Sequence, residues 1–257
     1  MIPATSRAFL SVIETRSLLY LEAFNSFLVL MKTWEKIALI GAGTAGVAAG
    51  ALILLDHHGY EKIFPVELND VVLDVGAGGT WYSDILGIYT EEFTVSAAKK
   101  VGQGGLVISV EPSPKNAVAL EKKVARAGLN NVIIVQKAAW NYKTRLPFYI
   151  TAAPTGHTLI SKPAIETVTV EADTLDNIVS DLGIGRVDFI KMDIEGAEIE
   201  ALTGAERVLG MARKVVIAAY HDNRPDISPT HPWVNEFLQA RGFQTQITHP
   251  GLVHGWR

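Results

Sequence analysis

The sequence contains no cysteine among its 257 residues. Disulfide bonds, thiolate zinc sites, iron–sulfur clusters and thiol catalysis are therefore excluded. An excess of basic charge is also missing, because 23 Lys and Arg face 27 Asp and Glu, a formal net charge of 23 − 27 = −4. Nucleic-acid-binding domains usually carry a basic face, so we expect no nucleic-acid partner. The 22 Gly and 11 Pro are too few for a collagen-like or low-complexity chain, which favours a globular protein.

The first 65 residues have a helical pattern and include one long run without charge. Apolar residues recur at helical spacing over residues 9–28, and residues 37–55 are 19 uncharged positions in succession. That length reaches the threshold of about 18 residues for a membrane helix, but its four Gly and six Ala leave few bulky apolar side chains. We expect a buried or membrane-surface helix there. No secretory signal peptide is evident, so we predict a cytoplasmic protein, with residues 1–58 as the candidate segment for peripheral membrane contact.

The same run contains a G-x-G-x-x-G pattern at Gly41, Gly43 and Gly46, which follows four apolar residues as in dinucleotide-binding folds. Such folds place an acid about 20 residues further on, at the end of a second strand. Here Glu61 precedes the next candidate strand, and residues 47–75 are too few to complete a dinucleotide domain. We interpret the small residues as a close-packed helix and keep a nicotinamide or flavin oxidoreductase as an alternative.

From residue 66 onward, short apolar runs alternate with longer amphipathic segments. This pattern is typical of an α/β fold with a doubly wound, mostly parallel sheet covered on both faces. We predict this domain over residues 66–257, with a helical N-terminal extension over residues 1–65. The predicted strands are 71–75, 106–110, 132–135, 187–192, 214–219 and a closing strand at 243–248, with helices at 115–127 and 233–240 and a hairpin or edge strands at 146–150 and 167–171.

Two of these strands end in a carboxylate and a turn. Asp74 lies near the end of the first strand and is followed by Gly76 and Gly78, while Glu111 ends the second strand and is fixed by Pro112. Open parallel sheets bind ligands at the carboxyl ends of their strands. Glycine lets backbone N–H groups approach a ligand closely, and a carboxylate at the second strand's tip can accept both hydroxyls of a ribose.

A third motif follows the strand at 187–192. Lys191, Asp193 and Glu195 alternate, so an extended strand would point all three side chains to one side. Gly196 then turns the chain into a helix that we expect to run towards residue 209. Glu198 would lie near that helix's N-terminus, where the helix dipole favours an acid.

These segments together resemble the FkbM-type family of S-adenosylmethionine-dependent methyltransferases. The resemblance implies a class I methyltransferase fold, Rossmann-like, with a seven-stranded sheet and S-adenosyl-L-methionine as cofactor. It implies that Gly76 and Gly78 lie near the methionine part, Glu111 on the ribose, and Ala138 with Ala139 beside the adenine. The matching segments are LDVGAG (73–78), VISVEPSPKNAVALEKKV (107–124), NVIIVQKAAW (131–140), TLD (174–176), VDFIKMDIEGAEIEALTGAERVL (187–209) and VVIAAYHDN (215–223). The full set of candidate cofactor-binding residues is Asp74, Gly76, Ala77, Gly78, Glu111, Pro112, Ala138, Ala139 and Asp193.

The candidate catalytic residues are Asp193, Glu195 and His221, which follow strand ends and could take a proton from a hydroxyl acceptor. His157 is a weaker candidate in a loop where relatives place substrate-side residues. A divalent metal on the first three residues is feasible chemistry, but no ligand spacing demands it, so we predict no metal site.

We therefore predict a methyltransferase that O-methylates a small molecule, sugar or lipid. Residues 79–90 are an insertion relative to the family, and the extension over residues 1–65 lies outside the resemblance. Two alternatives to this function remain. One is the oxidoreductase named above, and the other is a membrane-attached binding protein that keeps the fold without catalysis.

Overall fold

The computed structural model describes residues 65–78, 92–151, 156–161, 163–221, 224, 226–227, 229–248 and 251–257. The Gly41–Gly46 pattern, the insertion at 79–90 and nearly all of the predicted helical extension lie outside these residues. No helix in the described part of the chain is both long and apolar enough to span a bilayer.

Strands and helices alternate along most of the described chain. The strands are β1 (Val71–Val75), β2 (Leu106–Val110), β3 (Val132–Val135), β4 (Ala138–Ala139), β5 (Thr144–Ile150), β6 (Glu166–Asp173), β7 (Phe189–Met192), β8 (Lys214–Ala218), β9 (Gln244–Thr248) and β10 (Leu252–Trp256). The helices are α1 (Phe93–Val101), α2 (Pro114–Arg126), α3 (Leu175–Asp181), α4 (Glu198–Thr203), α5 (Glu206–Met211) and α6 (His231–Gln239).

The main sheet has seven strands in the order β3-β2-β1-β7-β8-β10-β9. The strands from β3 to β8 pair in parallel, and β10 is antiparallel to both of its neighbours. The strand order reverses between β1 and β7, which is the switch point where open α/β sheets bind ligands. The predicted doubly wound, mostly parallel sheet is confirmed.

The central strands are buried on both faces, because alternate residues of each strand point into two different cores. Both layers are therefore covered, as the continuous apolar runs in the sequence predict. Leu73, Ile190 and Ile217 pack in one core, and Val72, Phe189 and Val216 pack in the other.

The predicted hairpin forms a separate small sheet in the order β4-β6-β5. β5 and β6 pair antiparallel over seven residue pairs, and β4 joins β6 in parallel. This sheet has its own hydrophobic cluster, in which Phe148, Ile150 and Val170 are buried.

Two predictions about the second half of the domain are wrong. The single helix expected to reach residue 209 is two helices, α4 and α5, which meet at Gly204. A Cβ at Gly204 would lie 2.3 Å from the carbonyl oxygen of Trp140, so this position between the two helices requires glycine. The predicted closing strand is present as β9, but it is not the last strand, because β10 follows it along the chain and lies between it and β8.

Candidate active site

An open cavity, about 570 Å³ with the solvent at its mouth included, lies at the carboxyl ends of β1, β2 and β7. This is the switch point of the sheet, where open α/β folds bind ligands. The structure brings most of the predicted site residues together in its wall: Gly76, Gly78, Glu111, Pro112, Ala138, Ala139, Asp193 and Glu195. Three others, Asp74, Ala77 and His221, are not part of this wall.

The cavity wall comes from two sheets. The glycine turn and Glu111 follow strands of the seven-stranded sheet, whereas Phe148 lies in β5 of the small sheet. His157 and Leu159, in the segment after β5, complete this second wall.

The turn after β1 needs glycine for two separate reasons. Gly76 and Gly78 have φ of +73° and +70°, in the left-handed region that residues with a side chain rarely adopt. A Cβ at Gly76 would also lie 1.9 Å from the carbonyl oxygen of Asp193. The turns after β1 and β7 are therefore in direct backbone contact.

Glu111 is fixed in the cavity wall and only 4% exposed. Its Oε2 accepts a hydrogen bond from the Gly78 N–H and its Oε1 accepts one from the Ser113 N–H, both at 2.9 Å. Burial raises the pKa of Glu111 to about 7, although both N–H groups lower it. The Asn116 side chain also hydrogen-bonds to this carboxylate. A carboxylate has about four acceptor positions, so capacity for a ligand hydroxyl remains.

This raised pKa makes the stability of the protein depend on pH. The folded protein keeps the Glu111 proton up to about pH 7, whereas the unfolded chain releases it near the ordinary glutamate pKa of 4.5. The resulting stabilisation is complete below pH 4.5 and is lost as the pH rises through 7. From pH 5 to pH 8 we expect the free energy of unfolding of the wild type to fall by roughly 2–3 kcal/mol relative to Glu111→Gln.

Urea unfolding of both proteins at pH 5 and pH 8 measures this difference. The comparison cancels the titration of all groups that the two proteins share. Parallel pH profiles would show that Glu111 ionises as an ordinary surface carboxyl does.

Asp74 lies beneath the glycine turn and is fully buried. Its Oδ1 pairs with the Lys191 ammonium at 3.0 Å, and its Oδ2 accepts a hydrogen bond from the Thr94 hydroxyl at 2.6 Å. Lys191 also donates to the carbonyl oxygen of Gly76 at 2.7 Å. Burial alone would lower the pKa of Lys191, but the charges of Asp74 and Asp193 outweigh it and raise that pKa.

The predicted cofactor contact of Asp74 is therefore corrected to a supporting position, because its oxygens already face Lys191 and Thr94. Ala77 is corrected in the same way. Its side chain packs in a buried cluster with Val95 and Leu120, away from the cavity.

The three candidate catalytic residues meet at the ends of β7 and β8. His221 Nε2 lies 3.3 Å from Asp193 Oδ1 and 3.3 Å from Glu195 Oε1. The prediction that Glu195 continues an extended strand is wrong, because β7 ends at Met192 and Glu195 has a φ of +55°. The Thr158 hydroxyl donates to the carbonyl oxygen of Glu195 at 2.6 Å, which holds this turn.

The structure surrounds His221 with three carboxylates. Burial alone would lower the pKa of His221, but hydrogen bonds with Asp193, Glu195 and Glu198 outweigh it and raise that pKa to about 12. Of the three candidate bases, Asp193 and Glu195 border the cavity.

Glu198 and Asn116 were missed as site residues by the sequence reasoning. Glu198 is fully buried, and its Oε1 lies 3.3 Å from His221 Nδ1. The helix dipole alone already favours an acid at this position. The sequence therefore gives no separate indication that Glu198 contacts His221. Asn116 lines the cavity from the first turn of α2, where Ser113 caps the helix.

His157 was predicted as a weaker candidate in a loop, and it lies in the cavity wall. Its Nδ1 accepts a hydrogen bond from the Thr151 N–H at 3.3 Å, and its ring meets the Phe148 ring edge-on at 6.2 Å. These contacts tie the segment after β5 to the small sheet.

Comparison with known proteins supports the fold and identifies the family. The model of the Methyltransferase FkbM domain matches residues 74–245. AMB antimetabolite synthetase AmbE of Pseudomonas aeruginosa is 29% identical over 83 residues, which are 32% of this chain and 4% of the synthetase. The solved structure of methyltransferase FkbM from Methylobacillus flagellatus KT has a TM-score of 0.51 at 18% identity, covering 79% of this chain and 48% of that one.

The chain therefore spans under half the length of each of these two relatives. The structural likeness, at 18% identity, confirms the class I methyltransferase fold. The family match covers more than half of the chain and includes the glycine turn, Glu111 and the cluster around His221. The chain belongs to the FkbM methyltransferase domain family.

Proposed function

We propose that this protein is an S-adenosylmethionine-dependent methyltransferase that methylates a hydroxyl group of a small molecule, sugar or lipid. The observation that carries the proposal is the pairing of Glu111 with the Gly76–Gly78 turn in one cavity at the switch point of the sheet. Family membership supports methyl transfer, and the acceptor class is inferred from the residues at the ends of β7 and β8.

The residues in the cavity fit this cofactor. The positive-φ glycine turn exposes backbone where a charged amino-acid group could approach. The Glu111 carboxylate, held by two backbone N–H groups, can accept a hydrogen bond from a ribose hydroxyl. Ala138 and Ala139 line the same cavity with small side chains, which leaves room for a flat ring.

When bound, S-adenosylmethionine supplies a methyl carbon on a positively charged sulfur, ready for displacement by an acceptor atom. The protein's main contribution is to align the acceptor, which can supply up to roughly 7–11 kcal/mol. The side chains of Asp193 and Glu195 are 22% and 23% exposed and face the cavity. Either carboxylate can accept the proton of a hydroxyl group that is held there.

The test is a calorimetric titration of the full chain with S-adenosylhomocysteine, with NADH titrated in parallel. We expect micromolar binding of S-adenosylhomocysteine alone. Glu111→Ala should weaken that binding at least tenfold, about 1.4 kcal/mol, because it removes charge-assisted hydrogen bonds. Glu121→Ala is the matched control, since Glu121 is exposed on α2, and its affinity should equal that of the wild type.

Each other outcome excludes a specific part of the proposal. Binding of NADH alone would favour the oxidoreductase alternative. Equal affinity of Glu111→Ala and wild type would exclude Glu111 as the ribose ligand. Tight binding of S-adenosylhomocysteine without methyl transfer to any hydroxylated acceptor would favour the non-catalytic binding protein.

A further inference from the structure

Three potential metal ligands converge at the ends of β7 and β8. His221 Nε2 lies 3.3 Å from one oxygen of Asp193 and 3.3 Å from one oxygen of Glu195, and these three atoms lie within 4.8 Å of one another. A metal ion about 2.0–2.2 Å from nitrogen and carboxylate ligands separates neighbouring ligand atoms by roughly 3.0–3.5 Å. The two nitrogen–oxygen distances already match such a site.

The other ring nitrogen of His221 provides an independent observation. Its Nδ1 faces Glu198 Oε1 at 3.3 Å, and Glu198 is fully buried. The same carboxylate accepts hydrogen bonds from the Gly196 N–H at 2.9 Å and from the Thr230 hydroxyl at 3.1 Å, so its position is fixed. A metal-binding histidine nearly always donates its second N–H to a carboxylate or carbonyl in this way. Glu198 thus fixes the ring so that Nε2 faces Asp193 and Glu195.

The backbone at Glu195 is strained, and this conformation contributes to bringing the three potential ligands together. Among the described residues, Asn69 and Glu195 are the non-glycine positions with a positive φ. Such strain is concentrated at functional sites. The strained turn brings the Glu195 carboxylate to His221, and both carboxylates also border the open cavity, which gives an ion an entry path.

We propose that Asp193, Glu195 and His221 form a binding site for a divalent transition-metal cation, with Glu198 as the positioning residue for His221. One imidazole and two carboxylates suit ions such as Mn²⁺ or Fe²⁺. This ligand set replaces the prediction of no metal site, because the ligands come together only through the fold.

The consequence for catalysis rests on the proposed function. A cation bound at the cavity wall would act as a Lewis acid, binding an acceptor oxygen and lowering the pKa of its hydroxyl. It would also orient the acceptor at a fixed point of the cavity. A metal ion at this position would narrow the acceptor class to molecules that present a metal-binding oxygen, such as a hydroxyl beside a second oxygen.

The experiment titrates the full chain, freed of metal by dialysis against a chelator, with Mn²⁺ alone. The signal of the free ion in electron paramagnetic resonance reports the unbound fraction. We expect one Mn²⁺ per chain, with at least tenfold weaker binding in His221→Ala and in Asp193→Ala. Glu121→Gln, an exposed acid on α2, is the matched control and should bind as the wild type does.

A second measurement on the wild type keeps the test valid if a variant misfolds. Electron spin-echo spectra of bound Mn²⁺ should show coupling to one imidazole nitrogen. Absence of saturable binding, or bound Mn²⁺ without nitrogen coupling, would overturn the proposal, leaving a proton as the cation of the cluster.

The titration with S-adenosylhomocysteine, repeated with excess chelator, separates this inference from the proposed function. Retained binding of S-adenosylhomocysteine without any Mn²⁺ site would reject the metal and keep the methyltransferase. Mn²⁺ binding without S-adenosylhomocysteine binding would do the reverse.

Discussion

Lys191→Met is expected to lower the free energy of unfolding by about 3–5 kcal/mol, because it leaves Asp74 as a buried charge without its partner. Asp74 is fully buried and lies 3.0 Å from the Lys191 ammonium. Methionine retains most of the volume of lysine, so the change removes the charge more than the packing. Urea unfolding followed by circular dichroism measures the difference.

An exposed ion pair provides the matched control. Lys115 lies 3.2 Å from Glu166, but the two side chains are 64% and 47% exposed. The same substitution there, Lys115→Met, should change stability by less than about 1 kcal/mol. An equally small effect of Lys191→Met would contradict the conclusion that Asp74 depends on this ammonium.

The double variant Asp74→Asn, Lys191→Met tests the cause. Asparagine can still accept the hydrogen bond of the Thr94 hydroxyl, and it carries no charge to bury. We expect the double variant to recover at least half of the stability that Lys191→Met loses, since buried pairs are often replaced by neutral residues at little cost. A simple sum of the two single effects would show that the residues are not coupled.

Gly76→Ala is expected to destabilise the protein by at least 2 kcal/mol more than Gly128→Ala, and to abolish binding of S-adenosylhomocysteine. Both glycines have positive φ, +73° and +66°, so both substitutions carry the backbone cost of about 1–2 kcal/mol. A Cβ at Gly128 would meet nothing within 4 Å, whereas one at Gly76 would lie 1.9 Å from the Asp193 carbonyl oxygen.

The difference between these two variants therefore isolates the steric contact between the turns after β1 and β7. Urea unfolding and calorimetric titration of both variants measure it. Equal losses of stability, with S-adenosylhomocysteine binding intact in Gly76→Ala, would falsify the close contact of the two turns.

Apolar patterning was sufficient to predict the parallel strands that carry the site. The predicted bounds of β1, β2 and β3 match the structure residue for residue, because these strands are continuous apolar runs bounded by polar residues and turns. Glu111 was identified from its place at a strand end, and the structure puts it in the cavity wall. These features depend on local sequence, which is why pattern reasoning reaches them.

Features that depend on contacts distant in sequence were missed. The need for glycine at Gly204, between α4 and α5, depends on the carbonyl of Trp140, 64 positions earlier (204 − 140). The supporting position of Asp74 depends on Lys191, and the orientation of the His221 ring depends on Glu198. The spacing of residues in the sequence does not indicate these pairs, because each pair joins elements that only the folded sheet brings together.

The two walls of the cavity belong to sheets whose hydrophobic clusters are separate except at β4, where Ala139 packs in the cluster of the main sheet. Phe148 packs in the cluster of the three-stranded sheet, whereas Leu73 and Ile190, in strands next to the glycine turn, pack in that of the main sheet. Substitutions around Phe148 can therefore accumulate without loosening the packing beneath Glu111. Evolutionary divergence, and directed evolution in the laboratory, can in this way change the Phe148 side of the pocket while the strands next to the glycine turn are inherited intact.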